Sequence, residues 1–313
     1  MPVQMVGVSL TAIFRQGVPD IQAMKDNAQR LERLGFDAIW SGDHIIMHSP
    51  MMDVMAVLAT YAAVTERIKI GTAVYLMPLR HPVSTAKQVA ALDLLSRGRL
   101  IFGVGVGGEI VREFEAVGVP VRERGRRTDE GLEILTRVLS QNHVTYEGKY
   151  YQVHDVTLEP RPQQQPYPPI WVGGRSDAAV RRVARFGSGW LGYLNSSSRL
   201  QQAMETMRQL APTYGRDPAS LQGGMLLFTA IAKTYEAAKQ MAIDDLSRRY
   251  NQPFDNLVDR YCALGTPQDC LEKIQTYVDA GMSNLIFGFT CPADQIADQI
   301  EQCAEGILPH LRS

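Results

Sequence analysis

The sequence predicts an α/β protein, a (β/α)8 TIM barrel with insertions between strands, in one domain covering residues 1–313. Three observations lead there. Short apolar runs alternate with amphipathic helical patterns eight times, the signature of parallel βα units. A chain of 313 residues exceeds the roughly 250 that one barrel needs and leaves room for insertions. Glycines, acids and a histidine follow the second, third, fourth and fifth strands. An open doubly wound sheet, the alternative of similar composition, would gather them at one switch point, whereas barrels build their sites from many strand ends.

Residues 4–10 form the first strand, a β-branched and apolar run. A turn over residues 17–20 leads into a helical pattern at Ile21, Met24, Ala28, Leu31 and Leu34, with Gly35 as its C-terminal cap. The second strand, residues 36–41, runs into Gly42, Asp43 and His44. A helix over 53–65 precedes the third strand at 67–76. Pro82 sits near the start of the next helix, which stops at Ser96 before Gly98, and the fourth strand is 100–106. The rhythm then breaks. A helix over 128–139 puts Leu132, Leu135 and Val138 on one stripe, and residues 144–153 resemble a hairpin turning at Glu147 and Gly148. The run 159–169 reads as an extended connector, because its prolines fix φ and lack donors. Strand five follows at 169–173 with a helix over 178–186, strand six at 188–194 with a helix to 214, and strand seven at 225–232 with a helix over 235–250. An extra helix, 267–280, precedes the last strand at 284–289, and a helix over 292–311 follows it.

Composition narrows the ligand. Hydrophobic residues make up 45% and charged residues 21%, enough apolar material for a large core. The net charge of −1, with acids and bases interspersed, gives no electrostatic footprint for nucleic acid or a membrane surface, so a small molecule is the expected partner. Cys262, Cys270, Cys291 and Cys303 show no C-x-x-C spacing, which indicates neither a zinc site nor a disulfide framework. No basic segment followed by a long apolar stretch opens the sequence, and no run approaches about 18 apolar residues. Reduced thiols and these absences together point to a cytoplasmic protein.

The glycine stretch Gly103-Val-Gly-Val-Gly-Gly108 removes Cβ atoms that would keep a flat cofactor at a distance. Its G-x-G-x-x-G match does not make it a dinucleotide fingerprint. It lies a third of the way along the chain, Glu109, Glu113 and Glu115 follow it and would repel pyrophosphate, and the segment about 20 residues on resembles a helix entry. Asp43 and His44, just after the second strand, offer a proton-transfer group and an anchor for the loop or a ligand. His44 and His48 are four apart, but Ile45 stands where a zinc motif needs glutamate and Pro50 leaves little room for a helix, so no metal is expected. Gly173-Gly-Arg-Ser-Asp177 combines glycines, a helix N-terminus and a guanidinium, and reads as a phosphate site, beside the simpler reading that Ser176 or Asp177 caps the helix.

Taken together, Trp40-Ser-Gly-Asp-His44, Gly71-Thr-Ala-Val74, Gly103 to Glu109, Glu113-Phe114, Gly125 to Glu130, Trp171 to Ser176, Gly265-Thr-Pro267 and Asp279-Ala-Gly281 resemble the luciferase-like monooxygenase superfamily over nearly the whole chain. The resemblance is greatest to its branch of oxidoreductases that use the deazaflavin coenzyme F420. It implies a barrel holding F420, or alternatively FMN, at the C-terminal strand ends, often in a homodimer. It places Asp43 and His44 beside the ring, a non-proline cis peptide at Ala73-Val74 behind it, Gly107 and Gly108 near the ring or ribityl chain, and Gly173, Gly174, Arg175 and Ser176 at the phosphate. Glu109 resembles a carboxylate acid of sugar-phosphate dehydrogenases in that branch, with one more residue between it and the glycines than their pattern has. The implied activity is hydride transfer between F420 and a small organic substrate. The alternatives are an FMN-dependent monooxygenase using oxygen and a non-catalytic flavin-binding protein, the last marked by a pocket filled by Met47, Met51, Met52 or Tyr75.

Overall fold

The computed structural model describes residues 3–11, 13 and 19–312; Gly17 and Val18 of the first expected turn lie outside these. Eight parallel strands close on themselves: Met5–Ser9, Ala38–Ser41, Lys69–Thr72, Leu100–Gly105, Ile170–Gly173, Gly189–Tyr193, Gln222–Ile231 and Asn284–Phe289. Closure is made by the eighth strand against the first, with Met5 opposite Asn284. The expected (β/α)8 barrel is therefore the fold. Helices pack outside it, beginning with Ile21–Arg33 and Val54–Val64, whose N-terminal N–H groups are capped by the carboxylates of Asp20 and Asp53. The helix at Pro267–Asp279 starts with a complete capping box between Thr266 and Asp269.

Two tryptophans fill the inside of the barrel. Trp40 and Trp171 meet edge to face at 6.1 Å between ring centroids. Such rings fit because neighbouring strands supply no side chain where they lie: a Cβ on Gly7 or Gly71 would overlap Trp40, and one on Gly189 or Gly224 would overlap Trp171. Large residues against none is how a closed barrel reaches interior packing density.

The third strand departs from the expected 67–76. It runs over Lys69–Thr72, passes through a cis peptide at Ala73-Val74, where the resemblance put one, and resumes as Tyr75–Leu76 on the fourth strand. The glycines of the fourth strand explain how the backbone gets there. A Cβ on Gly103 would stand 1.9 Å from the Thr72 carbonyl oxygen, and one on Gly105 would stand 2.4 Å from the Val74 side chain. The close approach that these glycines permit is to the chain's own third strand. Gly103→Ala is accordingly expected to lose at least about 3 kcal/mol of stability, the upper range for overpacking. Urea unfolding checks this, and a midpoint equal to wild type would show that the bulge can slide.

Smaller departures have local causes. The helix expected over 128–139 begins earlier, spanning Arg124–Ser140, and a short helix at Val111–Ala116 precedes it. The strand Ala263–Gly265, parallel to the seventh, is too short to show a pattern in the sequence. The last expected helix divides into Ile296–Gly306 and Leu308–Leu311. No helix among the described residues is long and apolar enough to cross a membrane.

Candidate active site

The C-terminal ends of the strands gather the expected residues at one mouth. Its floor is apolar: Ala73, Val74 and Leu226 are half-buried over the tryptophan-filled interior. Val74 is wedged between the fourth and fifth strands, because Gly105 and Gly173 leave room for its two methyl groups. Gly173 thus serves the floor as well as the loop beyond it. Tyr75 is fully buried and directed outward, bonding Thr85 and Gln88 of the helix Pro82–Leu95, so it does not fill the mouth.

Asp43 is buried with both carboxylate oxygens engaged by its own chain. Arg80 donates two hydrogen bonds, at 2.5 and 2.8 Å, and the Leu76 N–H donates a third at 2.9 Å. Arg80 also lies over the Tyr75 ring, 4.5 Å from its centroid. Asp43 therefore ties the loop after the second strand to the far side of the bulge. Its neighbour His44 is directed elsewhere: Nδ1 lies 3.2 Å from each carboxylate oxygen of Glu113, which has no solvent exposure and also accepts the Ile45 N–H at 3.2 Å. Burial pulls the imidazole pKa down, but the hydrogen bond and charge of Glu113, with Glu109 and Asp43 beyond, outweigh it and hold it above the ordinary value.

Gly107 packs against Leu76 and Phe114, and Gly108 backs onto Arg124. Glu109 is exposed and accepts a hydrogen bond from the Tyr193 hydroxyl at the end of the sixth strand. Burial, followed by the charge of Glu109, drives the Tyr193 pKa well up, so this phenol stays protonated as a donor. Arg175 sits over the same Tyr193 ring at 5.4 Å.

Gly174, at φ +133°, turns the chain into the helix Asp177–Phe186, a backbone shape that suits glycine. Ser176 caps that helix by accepting the Ala179 N–H. The cap leaves the N–H groups of Asp177 and Ala178 without an acceptor among the described residues, so capping and anion binding are compatible. Arg199, from the next helix, pins this loop by donating to the Arg175 carbonyl and to Asp177. The sequence presents Glu113 only as a charge that repels pyrophosphate and as part of a motif, and it singles out none of Arg80, Tyr193 and Arg199. Only for Glu113 did the sequence hold a signal, an acid that shares its motif with Phe114 and follows the glycine stretch.

A closed barrel that brings a buried carboxylate, a histidine, an apolar floor and a helix N-terminus to its C-terminal end has parts that could hold a flat, anionic cofactor. The chain belongs to the luciferase-like monooxygenase family, whose model matches residues 5–284. It is similar to an F420-dependent glucose-6-phosphate dehydrogenase of Intrasporangium calvum, with 28% identity over 92% of this chain and 94% of the relative. Among solved structures it is similar to a monooxygenase of Streptomyces bottropensis, with TM-score 0.85, 25% identity, and coverage of 98% of this chain and 99% of that one. An F420-dependent secondary alcohol dehydrogenase shares the fold, with TM-score 0.86 and 20% identity over the whole of both chains.

Proposed function

We propose that this protein is an F420-dependent oxidoreductase that transfers a hydride between the coenzyme and a small organic substrate. The observation that carries the reading is His44, held by a buried carboxylate at the edge of the apolar floor of Ala73 and Val74. The apolar floor suits a flat ring, and the loop at Gly173, Gly174, Arg175 and Ser176, with the free N–H groups beyond it, suits the phosphate. The full-length likeness to F420-dependent dehydrogenases supports the choice of coenzyme. When bound, the deazaflavin supplies a hydride acceptor or donor that reacts little with oxygen; the protein supplies orientation and electrostatics. Asp43 acts through the loop it anchors. His44 exchanges a proton with the substrate, and Glu109, held by Tyr193, is the second acid at the mouth. Gly107 and Gly108 shape the turn that carries Glu109. A single working domain, a homodimer and a cytoplasmic location belong to the same proposal, with sedimentation velocity as the check on the dimer.

The likeness to the Streptomyces monooxygenase favours a second reading, oxygenation, for which FMN is the alternative cofactor. Titration of the purified protein with F420 and FMN separates the two. Tighter binding of F420, with anaerobic and aerobic turnover equal, is the expected result; preference for FMN or a need for oxygen would overturn the assignment.

The phosphate loop gives a further prediction. Gly174→Asp is expected to weaken coenzyme binding by at least tenfold, because it brings a carboxylate to an anion site. Gly174→Ala shares the backbone strain at φ +133° and the 3.0 Å contact with Ala179, so the difference between the two variants isolates the charge. Equal affinities would move the phosphate elsewhere.

A further inference from the structure

We propose that Glu113 is a positioning residue that fixes the neutral His44 ring in the tautomer protonated at Nδ1, leaving Nε2 as the proton acceptor at the barrel mouth. The inference deepens the hydride-transfer reading and rests on it for the identity of the reaction. The geometry supplies the argument. An ionised carboxylate only accepts hydrogen bonds, so a neutral ring whose Nδ1 stands 3.2 Å from both Glu113 oxygens gains by carrying its proton there, and would place lone pairs against negative charge otherwise. The Glu113 side chain has no exposure, and its other partner, the Ile45 N–H, is the backbone donor next to His44 itself. Ring and backbone are therefore gripped by the same group, which limits rotation of the imidazole.

The remaining charged groups that face His44 are consistent with this role. Glu109 and Asp43 add negative potential, and Asp43 is balanced by Arg80. The ring can take up a proton without leaving an unpaired buried cation. In oxidation of a carbinol the C–H electron pair leaves with its hydrogen to the coenzyme, the O–H proton passes to Nε2, and the O–H pair becomes the second carbon–oxygen bond. Glu113 then stabilises the imidazolium from the Nδ1 side. A base oriented by a third, buried carboxylate is the arrangement that nucleophile-activating triads also use, where replacing the carboxylate by its amide gives the wrong tautomer.

The test begins without coenzyme. In the full chain labelled with 15N-histidine, His44 is assigned by the loss of its signals in His44→Gln, and its ring shifts are followed over pH. The expected result is a neutral ring protonated on Nδ1, with a pKa that falls by about one unit or more in Glu113→Gln. A neutral ring protonated on Nε2, or a tautomer and pKa unchanged in Glu113→Gln, would overturn the proposal. Should that variant fail to fold, the wild-type tautomer alone decides. Because these spectra need no coenzyme, failure here leaves the F420 assignment standing, and failure of F420 to bind leaves the tautomer standing. In turnover, kcat/KM for oxidation is expected to rise with pH through the His44 pKa, since the base must be neutral. Glu113→Gln should lower kcat by about 10²-fold or more and move the inflection to lower pH, with KM changed far less. An unmoved inflection with a proportional rise in KM would show that Glu113 only supports the fold.

Discussion

His44→Ala is expected to bind F420 as wild type does and to lose about 10² to 10⁴-fold in turnover, the range for general acid or base catalysis. The ring is 17% exposed and Glu113 takes its Nδ1, so Nε2 is the nitrogen that the proposed role requires for the substrate. Asp43, which fixes the loop, keeps its three hydrogen bonds in the variant, so the coenzyme site should survive. Single-turnover oxidation of reduced coenzyme with a carbonyl substrate measures the effect, and a coenzyme titration accompanies it. Equal rates in the two proteins would end the catalytic role. A parallel fall in affinity would make His44 a binding residue.

The second large effect is on stability. Arg80→Ala should cost about 3–5 kcal/mol, the penalty for leaving one member of a buried ion pair without its partner. Asp43 has no side-chain exposure, Arg80 supplies two of its three hydrogen bonds, and Leu76 N–H cannot neutralise the charge. The double variant Arg80→Met with Asp43→Leu removes both charges and should recover most of the loss. Its turnover should stay low, because the loop that presents His44 is no longer tied to the bulge. Chemical denaturation of the three proteins checks both statements. A loss below about 1 kcal/mol in Arg80→Ala would mean that water reaches Asp43, as for an exposed pair.

The fold was open to reading because it is written locally. Each strand is a short apolar run and each long helix an amphipathic pattern, and their alternation over 313 residues admits few topologies. Asp43, His44 and the loop at Gly174 were legible for a related reason: they follow strands, and strand ends in a barrel converge on one face. The glycines are visible in the sequence, but the reason for them is not. Gly103, Gly105 and Gly173 leave room for Thr72 and Val74, side chains and backbone that lie tens of residues away in sequence and next door in the barrel.

The sequence by itself determined the strand and helix order, the caps at Asp20, Asp53 and Thr266, and which loops carry polar groups, since each of these is set by residues within a few positions of one another. Only the tertiary structure decided what those groups do. It closed Arg80 on Asp43, gave His44 its partner 69 residues away in Glu113, and joined Glu109 to Tyr193 across 84. The physical reason is that a carboxylate's role depends on what neutralises or accepts from it in three dimensions, and no local pattern of apolar and polar residues records that distance.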